Sequence, residues 1–288
     1  MTNVLMSIQA ALCFEPAVTG KIATYLEKNG SRVSLKGLLE WANVPSDRIE
    51  TLIRIIERTA GDSKWNRLPD GVRFVDCLDE EYPDVLRQVP NRPVGLWVAG
   101  DGNLRGLTCG NNPVSLLGTR DLSSYGASVT RALIEHIAQN RPGTTIVEGF
   151  AMGISRVAIE RALDEGLHVI AVSGCGIDSV YPAFMKNVWD RLVKTPGCAC
   201  VTPFPPASPP MAYNFVQRNH VIAGLCGIAV AVESLKHGGA VVTARLAQDY
   251  GRIVLAVPGN IDSHRCDGTN GLIRSGVAKP LTSVYDLF

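Results

Sequence analysis

The stretch Phe215-Val-Gln-Arg-Asn-His-Val-Ile-Ala-Gly-Leu225 sets an Arg218-Asn219 pair at what reads as the exposed start of an apolar helix. A guanidinium and an amide placed there would meet a phosphate or base edge beside free backbone N–H groups at the positive end of the helix dipole. Such a segment alone has little specificity. Its weight comes from short Gly-containing turns that bracket it in order: Gly118-Thr-Arg120, Gly149-Phe-Ala-Met-Gly153, Gly238-Gly-Ala-Val-Val-Thr243, Val257-Pro-Gly259 and Gly268-Thr-Asn270.

Gly118-Thr119-Arg120 ends an apolar run, and Ser123-Ser-Tyr-Gly126 opens the next helical pattern, so N–H groups, hydroxyls and a guanidinium could converge on one anion. A tight turn with a solvent-facing Arg fits equally well. The pattern is neither the G-x-G-x-x-G dinucleotide fingerprint nor a Walker A loop. Gly149 and Gly153 permit close backbone approach. Glu148 brings a negative charge to that turn: it faces away, pairs with Arg120 or Arg218, or accepts from a ribose or base edge, with a structural salt bridge expected first. Gly238 and Gly239, with Lys236 and His237 beside them, make a helix start that is either an electropositive site or a turn with solvated charges. Asp178, Tyr181 and Pro182, then Asp262, His264, Arg265 and Asp267, complete a candidate rim, with His264 expected as an exposed loop histidine.

No nucleophile is assembled with a base: Gly-x-Ser-x-Gly and H-E-x-x-H are both absent. Hydrolysis has no support beyond Glu148 acting on a water, so a non-enzymatic protein with no catalytic residue and no cofactor is expected. The cysteines are scattered, with one C-x-C, no C-x-x-C and no Cys/His knuckle, which argues against a metal site and suits a reducing cytosol. The N-terminus lacks the features of a signal peptide, and no run approaches about 18 apolar residues, so a cytoplasmic protein without membrane attachment is expected. A formal net charge of +1 provides no global basic field. Nucleic-acid binding would need a local patch.

The elements that must hold these turns follow from periodicity. Apolar strand-like runs at Gly95–Val98, Val114–Leu117, Thr145–Val147, His168–Val172, Ala199–Val201, Gly227–Val232 and Ile253–Val257 alternate with amphipathic segments such as Ser128–Ala138 and Ser155–Leu163. Continuous apolar strands between helices predict a doubly wound, mostly parallel sheet covered on both faces. Ligands then bind beyond the carboxyl ends of the strands, where strand order reverses. Residues 1–72 read as a separate helical N-terminal domain. In it Ser34 caps a helix carrying Leu35, Leu38, Leu39 and Trp41, and Ser46 opens another with Ile49, Leu52, Ile53 and Ile56 at helical spacing. Trp65–Phe74, turning at Asp70-Gly71, would add a β-hairpin. A winged-helix DNA reader and a helical interaction module are the two readings, the second favoured by the mixed charge on the outer face of the Ser46 helix.

The ordered motifs from about Val72 to Phe288 resemble the DNA-processing protein A family (DprA, also called Smf). The likeness runs through Glu81-Tyr-Pro-Asp-Val-Leu86, Pro93-Val-Gly-Leu-Trp97, Gly118-Thr-Arg120 with Ser124-Tyr-Gly126, and Tyr181-Pro182. It continues through Arg218-Asn219 with Val221-Ile-Ala-Gly-Leu225, Val232-Glu233, Thr243, Ala256-Val-Pro-Gly259, Gly268-Thr-Asn270 and Leu272-Ile273. The resemblance implies an extended Rossmann-like fold over residues 73–288, homodimerisation through it, single-stranded DNA binding, and loading of a RecA-type recombinase during recombination and natural transformation. It implies a pocket using Thr119, Arg120, Gly149, Arg218, Asn219, Gly238, Gly239 and Thr243, with Tyr125 and Phe150 as candidate stacking rings. The chain departs from the family pattern at Glu148, Ser155 and Ile159, at His220, which is titratable near neutrality, and at Gly238 and Ala240, where Ser is usual. The winged-helix domain frequent at the C-terminus of the family is expected to be missing. Two alternatives remain open: nucleotide binding or cleavage, as in the wider superfamily, and an interaction scaffold with a vestigial pocket.

Overall fold

A computed structural model describes residues 2–30, 33–62, 68–110 and 113–288. The apolar runs become strands: β1 (Val72–Asp76), β2 (Gly95–Ala99), β3 (Val114–Gly118), β4 (Thr145–Gly149), β5 (His168–Val172), β6 (Ala199–Thr202), β7 (Ile228–Glu233), β8 (Ile253–Ala256) and β9 (Lys279–Pro280). They form one sheet in the order β1-β2-β6-β5-β4-β3-β7-β8-β9. Among the described residues only the β1–β2 and β2–β6 pairs are antiparallel. The central strands need no apolar–polar alternation because helices cover both their faces.

Of the helices, α1 (Thr2–Leu12), α2 (Pro16–Asn29), α3 (Leu35–Trp41) and α4 (Ser46–Gly61) precede the sheet, with the short α5 (Asp84–Arg87) and α6 (Leu104–Thr108) flanking β2. The crossovers are α7 (Ser124–Asn140), α8 (Ile154–Asp164), α9 (Lys186–Lys194), α10 (Ala212–Leu225) and α11 (Gly239–Asp249), and α12 (Asp267–Arg274) leads to β9. Helix α7 packs beside α8, which lies on β3, β4 and β5, while α10 packs beside α11, which lies on β3, β7 and β8. Right-handed crossovers put the two pairs on opposite faces of the sheet. Among the described residues no helix is long and apolar enough to cross a membrane.

Ser34 caps α3 by accepting from the Gly37 amide at 3.1 Å, as its type and position predict. The expected hairpin takes another form. Asp70 and Gly71 do turn, with Gly71 at φ 75°, but residues 65–67 of the first arm lie outside the described residues. The second arm, β1, pairs with β2, placing Phe74 opposite Trp97. Neither β1 nor β9 stands out as a strand in the sequence, since β1 is a charged edge strand and β9 spans two residues.

The first helices rest on this edge. Leu5, Ile8 and Leu12 of α1 share the apolar core with Trp97 and Val98. Gln9 is buried to 1% exposure; its side-chain amide donates to the Pro203 carbonyl (2.9 Å), and its oxygen accepts from the Val94 amide (2.8 Å). Thr19 donates to the Arg92 carbonyl at 3.0 Å. A leucine at position 9 would leave a buried donor and a buried acceptor without partners, each costing roughly 1–3 kcal/mol. Gln9→Leu is therefore expected to lower stability by on the order of 3 kcal/mol. Urea unfolding should show a lower midpoint at unchanged slope, and an unaltered midpoint would refute this role for Gln9.

Candidate functional site

From β3 the chain steps outward to β6 and then returns to lay β7 against the other side of β3, so strand order reverses at β3. At that point a crevice opens beyond the strand ends. It holds a cleft of about 430 Å³ lined by Thr119 and Arg120 after β3, Gly149 closing β4, Arg218 and Asn219 of α10, and Gly238, Gly239 and Thr243 at the start of α11. The eight residues singled out from sequence thus meet in one place, although they come from four separate segments.

Two glycines make the close approach. A Cβ on Gly149 would lie 2.0 Å from Arg218 Nη1, and one on Gly153, whose φ is 76°, would lie 2.0 Å from the Thr119 carbonyl oxygen. The turn after β3 therefore sits directly on the start of α8, where the Ile154 amide donates to Thr119 O at 3.2 Å.

Arg218 and Asn219 do not stand at an exposed helix start. Helix α10 begins at Ala212, and the two residues are 6% and 8% exposed inside it. The Pro-rich loop starts the helix early: Asn214 donates to the carbonyls of Gly174 (3.0 Å) and Pro209 (2.9 Å), which ties the first turn in place. What reaches the cleft is side chain, not free backbone N–H. Arg218 Nη1 donates to the Val172 carbonyl at 2.8 Å, while its Nε makes no hydrogen bond. Burial, and next the charge of Arg120, push the Arg218 pKa down to about 10, which leaves it cationic at neutral pH. Both guanidiniums approach the ring of Phe215, Arg120 at 5.0 Å and Arg218 at 5.8 Å from its centroid. Among the described residues neither is paired with a carboxylate. An anion placed between them would relieve their mutual repulsion.

The two acids nearest the cleft turn away from it. Glu148 forms no salt bridge with Arg120 or Arg218, contrary to expectation. It is buried beneath β3, where the Leu116 amide donates to its Oε1 at 2.6 Å and Oε2 has no partner. The backbone donor of a neighbouring strand lies nearer than either guanidinium. Burial raises its pKa to about 8 against the opposing pull of the Leu116 amide, the Ser155 side chain and the Arg218 charge. Burial thus favours its neutral form, in which it does not compete with an anion for the guanidiniums. Glu233 occupies the start of α7, accepting from the Ser123 amide at 3.0 Å and the Ser123 hydroxyl at 2.6 Å, while Ser123 Oγ caps the Gly126 amide. The Ser123–Gly126 half of the expected phosphate cradle is thus filled by an internal carboxylate.

The start of α11 is different, because Gly238 precedes it with no side-chain cap and Gly239 is exposed with open space beside it. Thr243 donates its hydroxyl to the Gly239 carbonyl at 3.0 Å, so toward the cleft it offers an acceptor. Thr119 Oγ1 accepts from the Asp121 amide at 3.2 Å, which leaves its hydroxyl proton free to donate.

His220 lies on the other side of α10. Phe215, Arg218, Asn219 and Ile222 share the cleft face by their spacing of three and four, whereas Gln217, His220 and Val221 face the N-terminal helices. His220 Nδ1 is 2.6 Å from the Tyr250 hydroxyl, burial lowers its pKa, and its position on the opposite face means that it presents no base to the cleft. Ile159 is fully buried and Ser155 lines the cleft. Phe150 is 1% exposed and packs edge-on against Trp189, while Tyr125 is exposed and outside the cleft lining. Of the rim residues, Asp178 accepts from the Ala207 amide, Arg265 pairs with Asp121 and His264 with Asp267. Two of the cleft residues without an assigned role in the sequence bear on its chemistry. Phe215 was legible from its place three residues before Arg218; Ser234, which follows β7 and lines the cleft beside Gly238, carried no local signal.

A doubly wound, mostly parallel sheet, with two guanidiniums at its switch point that have no carboxylate partner among the described residues, defines a Rossmann-type protein with an electropositive crevice. The chain belongs to the DNA recombination-mediator protein A family, whose model matches residues 73–288. It is 36% identical over 212 residues to Protein Smf of Escherichia coli K12, covering 74% of this chain and 54% of that one, so it spans about half the length of that relative. It is 32% identical to the DNA processing protein DprA of Streptococcus pneumoniae, covering 73% of this chain and 71% of that one. The X-ray structure of DNA processing protein A from S. pneumoniae superimposes with a TM-score of 0.84 at 26% identity, covering 99% of this chain and 96% of that one. A Helicobacter pylori DNA processing protein A, described for its single-stranded DNA binding mode, superimposes with a TM-score of 0.65 at 25% identity, covering 75% and 93%.

The raised pKa of Glu148 has a stability consequence. The folded state retains a proton that the unfolded chain releases near the ordinary carboxyl value of 4.5, so this contribution is fully present below that pH and is lost as pH rises through about 8. Glu148→Gln keeps the acceptor for the Leu116 amide and removes the ionisation. Its melting temperature should fall less between pH 5 and pH 9 than that of the parent, and parallel pH profiles for the two proteins would contradict the assignment.

Proposed function

We propose that the cleft binds the backbone of single-stranded DNA through Thr119, Arg120, Gly149, Arg218, Asn219, Gly238, Gly239 and Thr243. The observation that carries this reading is the pair of guanidiniums on one aromatic ring, neither neutralised by a carboxylate among the described residues. A site of this kind recognises phosphate with little base-specific readout, as a sequence-tolerant single-strand binder requires. The H. pylori relative, described for single-stranded DNA binding, supports the ligand.

In this reading the protein is a cytoplasmic homodimer that performs no catalysis. It hands bound strands to a RecA-type recombinase in recombination and the processing of DNA taken up in transformation, a role that the family's description as a recombination mediator supports. A division into a helical domain of residues 1–72 and a Rossmann-like domain of residues 73–288 accords with the start of the family match. The Gln9 bridge to Val94 and Pro203 then makes the first domain a fixed neighbour of the loop that leads into α10.

Arg120 is exposed, and its charge can be reversed without disturbing the fold; Arg218 is buried and cannot. Arg120→Glu should weaken binding of a single-stranded oligonucleotide at least tenfold and reduce the steepness of its salt dependence by about one phosphate contact. A titration of single-stranded, duplex and mononucleotide ligands at two salt concentrations checks this. Unchanged single-strand affinity in Arg120→Glu would place the strand elsewhere, and tight mononucleotide binding with weak oligonucleotide binding would replace the reading with a nucleotide-binding one.

A further inference from the structure

Glu148, one of the positions at which this chain departs from the family pattern, stands directly before Gly149, against which the Arg218 guanidinium lies. It is 1% exposed. The Leu116 amide occupies its Oε1, whereas Oε2 has no hydrogen-bond partner, and neither has the buried Nε of Arg218. Carboxyl and guanidinium lie within electrostatic range of each other without forming a salt bridge. Across the sheet Glu148 meets Ala171 of β5 and the Leu116 amide of β3. The other groups around it are the Ser155 side chain of α8, Arg218 of α10 with Arg120 beyond it after β3, and the Cys226 thiol after α10, which burial pushes up to about 12 and so keeps neutral.

We propose that Glu148 is an internal counter-ion that competes with the ligand of the cleft for Arg218: the carboxyl is neutral while a phosphate lies between the guanidiniums, and its ionisation takes the place of that phosphate. The inference rests on the single-strand reading above and deepens it by naming what regulates the site. Charges in a fold's interior act on one another without contact, because little solvent screens them. With the cleft empty, Arg218 and Arg120 repel, and a carboxylate beneath them offsets that repulsion. With a phosphate in place the negative charge is already supplied, and a second anion below it is repelled. Coupling of this kind is reciprocal: the strand favours the proton on Glu148, and the proton favours the strand. Burial places the titration of the empty site at about 8, while Arg218, at about 10, keeps its charge over the range in which Glu148 changes. Below that range Glu148 is neutral with or without ligand and affinity is full. Above it, binding takes up one proton from solvent, and affinity falls as pH rises. Buried beside the cleft, Glu148 touches no ligand and acts through Arg218.

The test measures oligo-dT binding by fluorescence anisotropy at pH 6.5 and pH 9 on the full chain and on Glu148→Gln, which keeps an acceptor for the Leu116 amide and cannot ionise. The parent should lose about tenfold in affinity over this interval, whereas Glu148→Gln should match the parent at pH 6.5 and hold most of its affinity at pH 9. Any contribution of His237, beside Gly238, is common to both proteins and cancels in the comparison. Calorimetry of the parent in two buffers of different ionisation enthalpy needs no variant: at pH 9, binding should take up about one proton. Parallel pH profiles for the two proteins, or binding by the parent at pH 9 without proton uptake, would overturn the counter-ion role and leave the single-strand reading standing. A parent that fails to bind oligo-dT at pH 6.5 would remove both.

Discussion

The guanidinium of Arg218 is held in a buried position by the Val172 carbonyl, and a cation inside a fold restricts everything that touches it. It fits only because Gly149 has no side chain, since a Cβ there would overlap the guanidinium. It stays without a carboxylate partner among the described residues because Glu148, beside Gly149, is directed to the Leu116 amide, and the cation faces Arg120 across Phe215. Gly149 at the end of β4, Val172 at the end of β5 and helix α10 meet at this one group, which is expensive to bury without a partner.

Three acids surround the crevice, and each is used internally. Glu148 serves a strand amide, Glu233 caps α7 through Ser123, and Asp121 pairs with Arg265. Their removal from the cleft explains how a chain of formal net charge +1 presents an electropositive pocket: the patch comes from where the acids point and not from an excess of bases. The same logic separates two helix starts that look alike in sequence. The start of α7 already holds a carboxylate, whereas the start of α11 at Gly238 has no side-chain cap.

The fold was legible because its central strands are uninterrupted apolar runs between helical periods, a pattern that only a sheet covered on both faces requires. The seven strands expected from sequence differ from those observed by no more than two residues at either end. The edge strands β1 and β9 were not legible, because their pairing is decided by neighbours far along the chain. In the site, the Gly-containing turns were found because Gly149 and Gly153 meet needs that other residues cannot fulfil. The directions of the polar side chains were not, because a carboxylate chooses among partners that only packing brings within reach. Glu148 was expected in a salt bridge with Arg120 or Arg218 for that reason, and His220, a departure from the family pattern, is turned by helical spacing toward Tyr250.

The sequence by itself determined the doubly wound sheet, since hydrophobic period is a local property of the chain, and its ordered motifs carried the resemblance to the family, which in turn implied the eight residues that share the cleft. Only the tertiary structure decided which of the charges are available. It buried Arg218 and Asn219 within α10, withdrew Glu148 and Glu233, and turned His220 to the opposite face. Burial and hydrogen bonding depend on groups distant in sequence, and the free energy of a charge depends on both.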